Sequence, residues 1–231
     1  MTATPGTVPF IPEPRIERAA SDLLARWAAE HEWVPAPPVP VDEIIEIQLG
    51  LRVDSDDLRG KLGIPDVLGA IFFQSKRIRI DDSLNIETHP HLLGRYRWTL
   101  AHEGGHWVLH RELLGSPAAD ASLFGDLGAP EFVCRSSAKP PVEKQADMFA
   151  CYLLMPTDLV RSAWREWRGD SESVFVTDLR ADAPPTDTDD AVVDRFIRPF
   201  AAAFEVSREA MRYRVHDLGL VLPSRDGLLF A

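Results

Sequence analysis

Residues 102–106 read His-Glu-Gly-Gly-His and sit inside the apolar run WTLAHEGGHWVLH (98–110). In a helix, His102 and His106 are one turn apart and lie one above the other on one face. Both imidazoles can then reach one Zn²⁺. Glu103, offset around the helix, is close enough to act on a water there without ligating the metal. A fold that uses this pattern must bury the helix, bring a third ligand from elsewhere and leave a fourth position for water. The two glycines add a constraint, because each costs about 1 kcal/mol in a helix interior relative to Ala. Close approach of another backbone or of substrate is expected at Gly105.

The rest of the composition narrows the class. The 231 residues carry 25 basic and 36 acidic side chains, a net charge of −11. That balance excludes a bulk nucleic-acid binder, although it permits a local basic face. Cys134 and Cys151 form neither a disulfide framework nor a CxxC clip, which suits a reducing compartment. The N-terminus lacks a basic segment followed by an apolar one, and no apolar stretch is long enough to span a bilayer. The expectation is a soluble cytoplasmic protein with no membrane partner.

Along the chain, residues 1–13 read as a flexible N-terminal arm rich in Pro, Thr and Gly. Residues 14–31 have apolar positions at helical spacing. The stretch VPAPPVP (34–40) is an extended linker. A second short helix is expected from Asp42 to Gln48, ended by Gly50. Segments 51–54, 68–74 and 77–81 read as strands, the last two joined as a hairpin through Gln74-Ser75-Lys76. The HEGGH helix runs from about Leu92 or Tyr96 to His110. Residues 114–140 read as a long loop, and such a loop often rims a cleft. Helices follow at 141–155 and about 157–168, with Pro141 and Pro156 as start and stop signals. Segment 170–190 reads as a linker or exposed loop, and a last helical region spans about Val192 to Leu218.

The third ligand has two candidates. His110 is eight residues beyond His102, roughly 12 Å along the axis, too far to share one ion, so it reads as a structural residue or one that supports a ligand from behind. Leu109 and Glu112 replace the Gly and His of the longer HExxHxxGxxH pattern. Glu143 lies on the next strong helix, with Asp147 one turn later on the same face. Glu143 can bind the metal while Asp147 accepts the free N–H of a ligating histidine. Two acids four apart on a helix are also common on a solvated face. The upstream motif, otherwise incomplete, favours the ligand reading.

RYRWTLAHEGGHWVLH (95–110) and VEKQADMFACYLLMP (142–156) together resemble the two signature blocks of the ImmA/IrrE family of zinc metallopeptidases. The similarity extends more weakly to the N-terminal helix, PPVPVDEI, the GAIFF…RIRID hairpin and FEVSREAMRYRVHDLGLV (204–221). It therefore covers roughly residues 15–221. The resemblance implies a zinc centre of His102, His106 and Glu143, with Glu103 as catalytic acid/base. Mn²⁺ or Fe²⁺ can also occupy a His₂Glu site. It implies a mostly helical α+β, zincin-like domain at 14–168 with a small three-stranded antiparallel sheet. A helix-turn-helix-like segment at 189–221 would follow. The chain departs from the family pattern at Gly104, where a larger apolar residue is usual, and at Val215-His216.

For a second oxyanion donor the candidates are Tyr96, His89, His91 and Tyr152. The resemblance also implies a protein substrate, typically a helix-turn-helix repressor encoded nearby, cleaved in a stress or mobile-element response. Two readings of the C-terminal segment remain. Ser207 can cap a recognition-type helix made basic by Arg208, Arg212 and Arg214, giving direct DNA contact. Alternatively the segment packs to complete the domain, which the acidic chain favours. Trp164 and Trp167 are candidates for a partner surface. The rival function is a non-catalytic regulator with a structural zinc site, and Glu103 argues against it, since such a site needs no general base.

Overall fold

A computed structural model describes residues 10–33, 35–112, 132–135 and 140–224. Most of the expected N-terminal arm and of the long loop at 114–140 lies outside these residues. The chain divides into two compact units, Met1–Val34 with Pro40–Leu154, and Pro35–Val39 with Met155–Ala231.

The first unit is a small sheet covered by helices. Helix α1 (Glu13–His31) buries Ile16, Ala20, Leu23, Leu24 and Trp27, the apolar stripe of an amphipathic helix. The short α2 (Val41–Glu43) passes directly into a π turn at Ile44–Gln48. Strand β1 (Arg52–Asp56) leads to α3 (Leu58–Leu62), whose first turn is capped by Asp57 accepting from the Gly60 amide at 2.9 Å. Strands β2 (Val67–Phe72) and β3 (Arg77–Asp81) form the expected hairpin. Helix α4 (Leu93–His110) carries HEGGH, strand β4 (Phe132–Arg135) follows, and α5 (Pro141–Leu154) ends the unit.

The sheet corrects the three-stranded antiparallel expectation. Its order is β1-β3-β2-β4, four strands, and β1 pairs with β3 in parallel. The parallel pairing arises because α3 lies between β1 and the β2–β3 hairpin, so β1 returns beside the far strand of the hairpin instead of joining it by a tight turn. Strand β4 was concealed in a segment without periodicity. Four residues are too few to show alternation among Gly, Pro and Ser neighbours. Every residue of β2 is buried. One side chain set, Val67, Ala70 and Phe72, packs with Leu58 of α3, while α4 covers the other face. Helix α5 packs on α4, and α1 on α5.

The second unit begins with α6 (Thr157–Arg168), closed by Gly169 at φ 83°. Residues 170–190 are more ordered than a linker, since they form β5 (Val174–Phe175) and α7 (Val176–Leu179). Helices α8 (Asp189–Phe196), α9 (Arg198–Ala203) and α10 (Arg208–Asp217) follow, and β6 (Val221–Leu222) pairs in parallel with β5. Trp164 is fully buried, and Trp167 stacks on Phe200 at 5.4 Å between ring centroids. Trp164 thus belongs to the aromatic core of this unit, whereas Trp167 keeps 38% of its surface exposed. Among the described residues, no helix is long and apolar enough to cross a membrane.

The arginines of α10 hold this unit together. Arg214 is 2% exposed and donates to the Met155 carbonyl at 3.0 Å, to Thr157 Oγ1 at 2.8 Å and to Asp217 at 2.9 Å. Arg212 pairs with Asp194 at 3.1 Å and Asp190 at 3.3 Å. Arg214→Leu strands those acceptors and is expected to destabilise the protein by roughly 2–4 kcal/mol. Urea unfolding measures this, and a change below about 0.5 kcal/mol, the range of ordinary surface substitutions, would refute the structural role.

Candidate metal centre

Helix α4 lies between the sheet and α5, and two contacts without a Cβ bring it close to both. On the sheet side, a Cβ at Gly69 of β2 would meet Thr99 Cγ2 at 2.6 Å and Glu103 Oε1 at 3.0 Å. Thr99 and Glu103 are one helical turn apart, so this stripe of α4 rests directly on bare strand backbone. On the other side, a Cβ at Gly105 would sit 3.1 Å from Phe149 Cδ1 and 3.3 Å from the Ala146 backbone. Ala146 is one turn beyond Glu143. The close approach at Gly105 is thus what allows the start of α5 to reach the histidines of α4. The expectation of a close neighbour at Gly105 has its physical explanation here.

The three donors converge. His102 Nε2 and His106 Nε2 lie 3.1 Å apart, and the Glu143 carboxylate lies 3.1 Å from the first and 3.3 Å from the second. Ligand nitrogens on a tetrahedral zinc with bonds of about 2.0–2.1 Å are about 3.4 Å apart, so the spacing suits one ion. All three side chains are buried. The chemistry of the set also fits a cation. Burial works to raise the Glu143 carboxyl, but its contacts with His102 and His106 overcome this and hold it down at about 2. Burial pushes the His106 ring down to about 3, so it is a neutral donor. Burial also works to lower His102, yet Cys134, Asp147 and Glu143 together hold it well above the ordinary histidine range. An ionised carboxylate facing two ring nitrogens calls for positive charge at their shared point, which a proton on His102 or a divalent ion supplies.

Each histidine is oriented from behind. His102 Nδ1 lies 3.0 Å from Asp147 Oδ1, and the Trp98 indole N–H also points at that oxygen from 3.4 Å. His106 Nδ1 lies 3.0 Å from His110 Nδ1, and His110 Nε2 lies 2.9 Å from Gln145 Oε1. If His106 Nδ1 donates to His110, then His110 Nε2 carries its proton toward the Gln145 carbonyl. One tautomer assignment therefore satisfies the whole chain and leaves both Nε2 atoms of the pair on α4 facing Glu143. Glu103 is fully buried, and among the described residues neither of its oxygens completes a hydrogen bond. Burial, reinforced by Glu143, pushes its carboxyl up to about 8, against the opposing influence of His102 and the Cys134 backbone.

The structure thus brings His102, Glu103, His106, Glu143 and Asp147 together. Of the four oxyanion candidates, it turns Tyr96 and Tyr152 to other partners. The Tyr96 hydroxyl donates to Asp42 at 2.8 Å; burial and the Asp42 charge raise its pKa. His89 and His91 are exposed and face each other at 6.0 Å. The Tyr152 hydroxyl donates to Glu13, and nine residues on α5 put it about 13 Å along the axis from Glu143. Residue type and proximity in sequence suggested these four, but neither shows where a side chain points. Gln145 and Cys134 were missed. Gln145 carried a faint signal, lying two residues beyond Glu143 on the same helix. Cys134 carried none, standing alone in an aperiodic segment.

The sequence pattern of a peptidase family, described as the IrrE N-terminal-like domain, matches residues 72–216, more than half of the chain. The chain belongs to this family. The IrrE-like match begins at the end of β2 and runs into α10, so it takes in HEGGH, Glu143 and Asp147. It identifies the region as a metallopeptidase-like domain. No curated protein matches the chain.

The departure at Gly104 now has a local meaning. A Cβ there would meet the tip of Ile45 at 2.3 Å, a flexible side-chain end, with nothing of the backbone close by. Gly104→Ala is therefore expected to change stability by no more than about 1 kcal/mol, because the gain in helix propensity offsets a small shift of Ile45. Gly105→Val has to push α5 away and is expected to cost about 1–3 kcal/mol. Thermal unfolding of the two variants checks the ranking, and equal tolerance at both positions would contradict it.

Proposed function

We propose that this chain is a zinc-dependent endopeptidase that hydrolyses a peptide bond in a protein substrate. The observation that carries the reading is the convergence of His102 Nε2, His106 Nε2 and the Glu143 carboxylate at 3.1–3.3 Å, with Glu103 buried beside them. His102, His106 and Glu143 would hold the ion. Zn²⁺ bound there supplies Lewis acidity and lowers the pKa of a water to roughly 7; Mn²⁺ or Fe²⁺ suits the same donors. Asp147 and the His110–Gln145 pair keep the two rings aimed at the shared point. Glu103 takes the proton as water attacks the scissile carbonyl and delivers it to the leaving amine. Burial at the site excludes bulk water from competing for that proton.

The substrate we propose is a helix-turn-helix repressor encoded nearby, cleaved in a stress or mobile-element response. The support is the family membership and the resemblance of both signature blocks. Direct DNA binding through α10 is the weaker reading. Arg212 and Arg214, two of the three arginines that would make that helix basic, are engaged with Asp190, Asp194, Asp217, Thr157 and the Met155 carbonyl. A purely structural zinc site gives no reason for a fully buried carboxyl at Glu103 beside the donors. The test is incubation of the zinc-loaded protein with the repressor encoded next to it, followed by mass spectrometry. One discrete cleavage that a chelator abolishes is expected. An intact repressor after prolonged incubation would overturn the substrate assignment.

A further inference from the structure

The two ligating rings are backed by different chemistry. Behind His102 stands a carboxylate, with Asp147 Oδ1 3.0 Å from Nδ1. An ionised carboxylate only accepts, so it fixes a proton on His102 Nδ1 and turns Nε2 to the metal position. Behind His106 stands another imidazole, His110, with the two Nδ1 atoms 3.0 Å apart. A neutral ring can donate or accept at that contact, so His110 alone does not decide where the His106 proton sits. Two arrangements are open to the pair. In one, His106 Nδ1 donates to His110 and His106 Nε2 is bare. In the other, His110 Nδ1 donates and the His106 proton sits on Nε2. That atom lies 3.1 Å from His102 Nε2 and 3.3 Å from Glu143, so a proton there occupies the point a metal needs.

Gln145 separates the two arrangements. Its side-chain carbonyl oxygen lies 2.9 Å from His110 Nε2, and a carbonyl only accepts. The first arrangement puts a proton on His110 Nε2 and makes that hydrogen bond. The second leaves two lone pairs facing each other across the same gap. His110 and Gln145 are both buried, and burial makes a hydrogen bond left unmade costly. We propose that Gln145, acting through His110, sets the tautomer of His106 and thereby the metal affinity of the centre. The inference rests on the metal-centre reading above. Both are positioning residues, because the proton they hold is on the far side of the His106 ring from the metal. Without them His106 divides between two tautomers, and only the fraction with a bare Nε2 binds the ion.

Zinc affinity, measured by competition with a chromogenic chelator, tests this without a substrate. Asn places its side-chain oxygen where His places Nδ1, so His110→Asn keeps an acceptor for His106. His110→Leu fills the same space without one. His110→Leu is expected to bind Zn²⁺ about 10–100-fold more weakly than wild type, and His110→Asn to recover most of that loss. Packing alone predicts the reverse order, since a buried site accepts Leu more readily than an amide. Gln145→Met keeps the length and loses the carbonyl. It is expected to weaken binding in wild type and to add nothing in the His110→Leu background. Long-range proton–nitrogen NMR spectra of the metal-free wild type give a second readout that no variant's folding can obscure. His106 is expected with its proton on Nδ1 and His110 with its proton on Nε2. A His106 proton on Nε2, or His110→Leu binding zinc as tightly as wild type or as His110→Asn, overturns the inference and leaves the centre intact. A further loss from Gln145→Met in the His110→Leu background overturns the link through His110. A folded wild type that binds no zinc overturns the metal centre and this inference with it.

Discussion

Glu103→Gln is expected to retain the metal and to lower peptide hydrolysis by about 10²–10⁴-fold, the contribution of a positioned general acid/base. The amide has the size and shape of the carboxylate, so the Thr99–Glu103 stripe that rests on Gly69 keeps its packing. Glu103 is outside the group formed by His102, His106 and Glu143, so the three donors remain. What the amide cannot do is accept a proton. Burial disfavours the charge on Glu103 and holds its carboxyl near 8, a penalty the neutral amide does not carry. Loss of activity therefore cannot be ascribed to a weakened fold, and an unfolding curve measured beside the assay checks that point. Hydrolysis within a few-fold of wild type would remove Glu103 from the mechanism.

Glu143→Ala is expected to abolish the stabilisation that metal gives the folded protein. A ligand that binds only the native state stabilises it by about 2.7 kcal/mol at one hundred times its Kd and about 4.1 kcal/mol at a thousand times. In wild type, added Zn²⁺ should raise the unfolding temperature accordingly. The Glu143 carboxylate is the one donor that touches both ring nitrogens, at 3.1 and 3.3 Å, and it brings the only negative charge of the trio. Without it two imidazoles remain, one short of the three protein ligands of a catalytic zinc site. An unfolding temperature that rises as much with Zn²⁺ in Glu143→Ala as in wild type would show that the ion binds elsewhere.

Much of the site was legible in the sequence because helical spacing is a strong constraint. HEGGH determines which face two side chains share once the segment is helical, and Glu143 with Asp147 repeats the same i,i+4 logic on α5. Gly105 announced a close neighbour, and the neighbour is the Ala146 backbone. The signals failed where geometry depends on long-range pairing. The parallel partnership of β1 with β3 leaves no local mark on either strand. Strand β4 is four residues in an aperiodic stretch, and Cys134 was read as an unremarkable thiol because only the β2–β4 register aims it at α4. The arginines of α10 left two readings open in the sequence. Their charge suggested a nucleic-acid face, whereas Arg214 is buried and donates to Thr157 and the Met155 carbonyl. Composition reports charge, but burial decides what the charge does.

The central claim is that His102, His106 and Glu143 form one metal centre in an IrrE-like peptidase domain. Metal analysis of wild type and Glu143→Ala, dialysed side by side against the same zinc buffer and then against metal-free buffer, tests it most directly. One zinc per chain is expected in wild type and none in the variant, with both proteins folded. Zinc retained in full by Glu143→Ala, or a folded wild type that retains none, would contradict it.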